Sequence, residues 1–263
     1  MQDWTPREHY TAEDLVEIIR ILRDGENGCP WDKVQTHASI RKNFLEETCE
    51  ALEAIDADDP VMMQEELGDV LMQVVFHADI EKDAGRFTMD DVCDGVVKKL
   101  LFRHPHVFGD GHEDSPESVL VSWEQLKRRE KGQNTVADSM DSVARSLPSL
   151  WRAEKLQKKA AAAGFEWPDV QGALDKLEEE VAELRRAVEN GGDVPDELGD
   201  VLFAAVKVGR FCGCDPEDAV NGTCEKFIHR FRAVEEGAAV RGREVSQLSL
   251  EEMTALWNEA KRS

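Results

Sequence analysis

Glu66-Leu67-Gly68-Asp69-Val70-Leu71 recurs, residue for residue, as Glu197-Leu198-Gly199-Asp200-Val201-Leu202. Upstream of each copy stand a pair of acids and a third: Glu46-Glu47-Thr48-Cys49-Glu50, and Glu179-Glu180-Val181-Ala182-Glu183. Downstream of each comes a basic pair at helical spacing, Lys99 with Arg103 and Lys226 with Arg230. Further on, each half has an aromatic, acidic and basic segment, Trp123-Glu124-Gln125-Leu126-Lys127 and Trp257-Asn258-Glu259-Ala260-Lys261. Four features in the same order point to an internal duplication, and a repeat of that length decides the architecture before any single element does.

The apolar pattern is helical nearly throughout. Thr11 and Asp14 read as a capping box, after which Leu15, Ile18, Ile19 and Leu22 fall on one stripe. Two glycines and Pro30 mark a turn over 24–30, a helix is expected from about Ile40 to Ile55, and another from about Met62 to Asp83. Short alternating β-branched runs are scarce, so the chain reads as all-α. The expected organisation is an N-terminal helical domain over 1–130, a linker over 131–148 around Gly132 and Pro148, and a C-terminal helical domain over 149–263.

At about 100° per residue, Glu46, Glu47 and Glu50 project from one side of their helix, and Leu45, Cys49, Leu52 and Ile55 from the other. Glu66, Asp69 and Gln73 share a face, and Leu67, Val70, Leu71 and Val74 form the expected core stripe. The interval 51–65 is long enough to end one helix and return along it, so the two acidic faces can meet. The second copy repeats this with Glu179, Glu180, Glu183, Glu197 and Asp200. Most acids in such a chain simply face water. These sit on helices apolar nearly all round, where a carboxylate is expensive unless it is paired, protonated or bound to a cation. Ligands that are all oxygen suit Mg²⁺, or Mn²⁺ in its place. Gly68 and Gly199, each costing helix propensity of about 1 kcal/mol, suggest close approach of another helix. Magnesium on a few carboxylates suits phosphate chemistry. Lys226 and Arg230 would grip a polyphosphate, and Trp257 would stack on a base.

Composition narrows the partners. With 55 Asp and Glu against 32 Lys and Arg, the net charge of −23 repels nucleic acid and anionic membranes. No leader and no run of transmembrane length is visible, and the six cysteines form no CxxC pair, so a reduced, cytoplasmic protein is expected. A P-loop is missing, which argues against ATPase-type cleavage at the γ-phosphate. His104-Pro105-His106 with His112 reads as a packed loop, because a proline between two histidines spoils a helical ligand pair.

The pattern Glu-Glu-x-x-Glu, an interval, then Glu-x-x-Asp resembles the MazG family of all-α nucleoside triphosphate pyrophosphohydrolases. The likeness extends over nearly the whole chain, taking in Gly28-Cys29-Pro30-Trp31-Asp32, Gln35-Thr36, the stretch Arg103 to Phe108, and Gly164-Phe165-Glu166-Trp167. It implies two tandem MazG-like helical bundles, a homodimer, and Mg²⁺-dependent hydrolysis of nucleoside and deoxynucleoside triphosphates to the monophosphate and pyrophosphate. It implies that Glu180, Glu183, Glu197 and Asp200 hold metal in the second copy, as Glu47, Glu50, Glu66 and Asp69 do in the first. By the same resemblance Glu179 and Glu180 are catalytic, Lys176, Glu179, Lys226, Arg230 and Trp257 contact the nucleotide, and the C-terminal copy carries the activity. Two alternatives stay open: a narrower pyrophosphohydrolase for dUTP, dCTP or phosphoribosyl-ATP, and a non-catalytic acidic helical protein that binds a basic partner.

Overall fold

The computed structural model describes residues 4–110 and 115–261. Among them the regular structure is entirely helical, and the chain divides into two compact units, Met1–Lys127 and Arg128–Ser263. The first unit holds α1 (Ala12–Leu22), α2 (Arg41–Asp56), α3 (Pro60–Asp83), α4 (Met89–Arg103), a single turn α5 (Pro105–Phe108) and most of α6 (Pro116–Glu130). The second holds α7 (Val136–Asp141), α8 (Ser149–Ala162), α9 (Val170–Asn190), α10 (Val194–Phe211), α11 (Pro216–Val240) and α12 (Leu250–Ala260). The segment expected as a linker thus contains α7, which packs on α8 where Lys159 Nζ donates to Ser139 Oγ at 2.6 Å.

The paired hairpins follow from their caps. Asp59 accepts from the backbone of Val61 and Met62, and Pro60 opens α3, so α2 turns back into α3 within three residues. In the second unit Gly191, at φ 72°, closes α9 in the left-handed conformation that favours glycine. Asp193 then caps α10 by accepting from Asp196 N–H. The Thr11–Asp14 capping box is present at the start of α1. At the end of α4 His104 Nδ1 donates to the Leu100 carbonyl, and α5 follows; His112 lies outside the described residues.

The covered faces differ from those expected. In α2 the buried residues are Ala51 and Ala54, whereas Leu45, Leu52 and Ile55 are exposed. In α3 they are Gln73, Val75, Phe76, Ala78, Asp79 and Glu81, whereas Leu67 and Leu71 are exposed. Leu198, Leu202 and Phe203 on α10 are exposed in the same way. A Cβ at Gly68 or Gly199 would meet nothing within 4 Å, so among the described residues no other helix of its own unit approaches either glycine. The cause is physical. A helix apolar on every side does not declare which side its own chain covers, and here each hairpin is covered on one side only.

The core of the first unit gathers Ile19, Ile40, Val75 and Phe76, where α1 packs on α3. A core of the second gathers Val234, Ala238, Leu248 and Leu256 between α11 and α12. Each unit also ties its long second hairpin helix to the segment before the hairpin with buried charge. Arg23 donates to Asp79 at 2.9 Å and to Asp83 at 2.8 Å. In the second unit Glu166 forms ion pairs with Lys207 at 2.7 Å and with Arg210.

Candidate functional site

Antiparallel pairing of each hairpin brings its acids together. In the second unit, carboxylate oxygens of Glu180 and Glu183 on α9 and of Glu197 on α10 lie within 4.8 Å of one another. In the first, Glu47 on α2 and Glu66 and Asp69 on α3 do the same. Each tight set therefore takes three of the four equivalent positions. Glu50 stands outside the first and Asp200 outside the second, although Asp200 lines the same cavity as Glu180.

The electrostatics match the crowding. Burial pushes the Glu197 carboxyl above its ordinary range, and Glu183, Asp200, Asp196 and Glu180 add to it. Glu47 is raised by burial, then by Asp69 and Glu50; Glu66 is raised by burial, then by Glu50, Glu65 and Asp69. Like charges so close need a compensating cation, and a donor set made only of carboxylate oxygens is what a hard divalent metal accepts. The first set has a further oxygen to offer. Gln73 lies close enough to Glu47 to counter the rise of its carboxyl, and the buried Gln73 Oε1 has no partner in the protein. The chain thus has two acidic groups able to hold a metal ion.

Around the second set the remaining residues separate into two groups. Lys176, one turn before Glu180, reaches Glu180 Oε1 at 2.8 Å and Glu179 Oε1 at 3.2 Å, and those hydrogen bonds raise its pKa. Glu183 also accepts from Arg186 at 2.9 Å. Lys226 and Arg230 lie farther along the chain on α11, Lys226 exposed and Arg230 half-buried with its guanidinium over the Trp257 ring at 5.8 Å. Trp257 packs against Phe227, with ring centroids 5.0 Å apart, and against the α11–α12 core. Its ring is therefore already engaged by protein. The first unit repeats this feature in Arg103 over Trp123 at 5.3 Å.

Sequence reasoning missed a cavity of about 510 Å³ beside the Glu180 cluster. Lys176, Glu180 and Asp200 line it together with Phe165, Trp167 and Phe203. Lys207 also lines it, with its ammonium 5.2 Å from the Trp167 ring centroid and its pKa lowered by burial. The only signal in the sequence was that Lys207 and Arg210 interrupt an otherwise apolar helix.

Comparison with known proteins agrees with this geometry. The family model described as the MazG nucleotide pyrophosphohydrolase domain matches twice, over residues 35–108 and 169–234, and so spans both carboxylate hairpins. The nucleoside triphosphate pyrophosphohydrolase of Escherichia coli strain K12 is 44% identical over 252 residues, covering 94% of this chain and 96% of that protein. The nucleoside triphosphate pyrophosphohydrolase/pyrophosphatase MazG of Thermotoga maritima is 41% identical over 249 residues, covering 95% of each. The uncharacterized protein YabN of Bacillus subtilis is 49% identical over 250 residues, covering 94% of this chain and 50% of its own length. With two acidic helical hairpins, a domain match on each and full-length relatives at this identity, the chain belongs to the MazG nucleotide pyrophosphohydrolase family.

Proposed function

We propose that the protein hydrolyses nucleoside and deoxynucleoside triphosphates to the monophosphate and pyrophosphate, using Mg²⁺ held in the second unit by Glu180, Glu183, Glu197 and Asp200. The observation that carries this reading is the convergence of three of those carboxylates beside a lysine and an open cavity. A divalent ion bound there would neutralise phosphate charge and polarise the phosphorus–oxygen bonds. The protein's own groups do the rest. Glu179, exposed and next to Glu180, takes the proton from the attacking water, while Lys176 sets its position and offers positive charge to the phosphates. Lys226 and Arg230 grip the leaving pyrophosphate, and Trp257, whose ring lies under the Arg230 guanidinium, contacts the nucleotide beside them. Glu47, Glu50, Glu66 and Asp69 would hold a second ion in the first unit, where it would serve structure rather than turnover.

The working protein is a homodimer. The exposed apolar faces of the hairpins, Leu67 and Leu71 with the open Gly68 and Leu198 and Leu202 with the open Gly199, are surfaces that another copy would cover. Six free cysteines and a charge of −23 fit the reducing cytoplasm, with small anionic substrates neutralised by metal and no nucleic acid or membrane partner. No helix among the described residues is long and apolar enough to cross a membrane.

The test is product analysis by ³¹P NMR on a panel of nucleoside triphosphates, with EDTA and then with Mg²⁺ or Mn²⁺ restored. Monophosphate and pyrophosphate, appearing only with metal, are expected. Nucleoside diphosphate with orthophosphate, or full turnover in chelator, would overturn the reading.

A further inference from the structure

Where the chain enters α2, the first unit contains a row of polar side chains that the proposed chemistry does not use. His37, in the segment before α2, has its Nε2 2.5 Å from Glu81 Oε1 and its Nδ1 2.7 Å from His77 Nδ1. His77 and Glu81 stand one turn apart on α3. Arg86 closes the far end by donating to both oxygens of Glu81. The two imidazoles stack with ring centroids 4.9 Å apart, and Phe44 of α2 meets the His77 ring at 66°.

The protons along this row can be counted. Arg86 keeps Glu81 ionised, so Glu81 only accepts and His37 Nε2 carries a hydrogen. The gap between the two Nδ1 atoms holds one hydrogen, donated by one ring and accepted by the other. The last position, His77 Nε2, is bare when the pair is neutral and protonated when the pair carries one charge. Both states keep every contact. A second charge has no place except the gap, where two N–H groups would face each other at 2.7 Å between stacked rings of like charge. That state must part.

The charges on the packed elements are engaged elsewhere. α1 brings Arg23, which is paired with Asp79 and Asp83. α4 brings Met89 to the core, and its Asp91 is held in the cap by Thr88. α2 brings Phe44 to the pair, whereas its Glu47 lies with Glu66 and Asp69, about two turns away along α3. Burial, then His37, lowers the pKa of His77 below its ordinary 6.5.

We infer that His37 and His77 form an acid-released latch, which holds the entry to α2 against α3 until the pair takes up a second charge. The two rings titrate as a unit. The folded state takes up the second proton less readily than the unfolded chain does. The latch is therefore fully present above pH 6.5 and is lost as pH falls below that value. Glu81, held at about 2, stays ionised through this window, so release belongs to the imidazoles. Counted from the repeated hexapeptides, Val208 and Cys212 take the positions of His77 and Glu81, so the second unit is an internal control.

Hydrogen exchange of the full chain, read by mass spectrometry from about pH 7.5 to about pH 5 and corrected for intrinsic exchange rates, tests this. Amides over 36–44 should open at least about tenfold more at the acid end, with no matching change over α11 and α12. His77→Phe keeps a ring against Phe44 but cannot take the second proton, so its exchange should stay level across the range. His37→Gln, which keeps a donor to Glu81, should do the same. Nitrogen-15 spectra of the wild-type histidines give a readout that needs no variant. The pair should take up its protons in two separated steps, the later one below pH 6.5 and coincident with opening. One step shared by both rings, or wild-type exchange that ignores pH, would overturn the latch. Opening that persists in His77→Phe would also overturn it and place the acid sensitivity at Glu81 and Arg86.

Discussion

Counted from the two identical hexapeptides, α3 and α10 carry the same acids and then diverge. Seven residues after Glu66 stands Gln73, and seven after Glu197 stands Ala204; thirteen after stand Asp79 and Arg210. In the first unit the buried Gln73 stands near Glu47 and counters the rise of its carboxyl. In the second, Ala204 lines the cavity. The ion pair is reversed in sign: Asp79 answers a buried Arg23 in one unit, and Arg210 answers a part-exposed Glu166 in the other. Four residues before Glu47 is Asn43, whereas four before Glu180 is Lys176, which bonds to it. Both copies keep the charge needed for a metal. In the second, a cavity and a lysine stand beside the carboxylates.

The widest effect should come from breaking the carboxylates one copy at a time. Glu180→Gln or Asp200→Asn should lower kcat/KM by more than about 100-fold, because even the outer partners of metal ligands are worth roughly 10–100-fold. Glu47→Gln or Asp69→Asn should leave turnover nearly intact. All four proteins are compared at saturating Mg²⁺ after circular dichroism shows them folded. If the first-unit changes were the damaging ones, the assignment of the working copy would be reversed.

A second variant would turn the working copy into the silent one. Ala204→Gln places in α10 the side chain that α3 carries, filling the cavity. Overpacking of about 1–3 kcal/mol corresponds to a rise in KM of roughly ten- to a hundred-fold, with the carboxylates untouched. An unchanged KM would show that this cavity does not take the substrate.

Stability should separate the units through their reversed ion pairs. The Arg23 and Asp79 side chains are 5% and 6% exposed, so Arg23→Met strands a buried carboxylate and should cost about 3–5 kcal/mol. Glu166 is 22% exposed, so Glu166→Gln keeps an acceptor for Lys207 and Arg210 and should cost less. Urea titration followed by hydrogen exchange, resolved for α3 and α10, would measure both. Equal losses would contradict the burial argument.

How much of this was legible beforehand follows from what sequence pattern encodes. The helices and the duplication could be read because each rests on identity or on a 3.6-residue period, as could the six carboxylates that the two hairpins bring together. The covered faces could not. Leu67 and Leu198 look like core residues on any apolar helix, and only packing shows that their own chain leaves them bare. Gly68 and Gly199 pointed to a close neighbour that the described residues of their own unit do not provide. Gln157, within Leu156-Gln157-Lys158-Lys159, reads as one more polar surface residue. Its burial depends on the carbonyl of Phe203, 46 residues away, which no local pattern reports.

The smallest effect concerns acid resistance, where the units should resemble each other and differ only in degree. Hydrogen bonds from Arg86 hold the Glu81 carboxyl at about 2, with help from His37. Hydrogen bonds from Arg243, and from the backbone of Ser249, hold Glu252 at about 2. Both folded values lie below the ordinary 4.5 of a free glutamate. Each group therefore contributes stability that is fully present above pH 4.5 and is lost as pH falls from there toward 2. Arg86→Met and Arg243→Met should each move local acid unfolding to higher pH. The Glu81 side chain is 9% exposed and Glu252 is 37% exposed, so water and salt screen the second pair more. The shift from Arg86→Met, followed at α3 and α4, should exceed that from Arg243→Met, followed at α11 and α12, and the gap should persist in high salt. If the order were reversed, burial would not be what sets the strength of these two pairs.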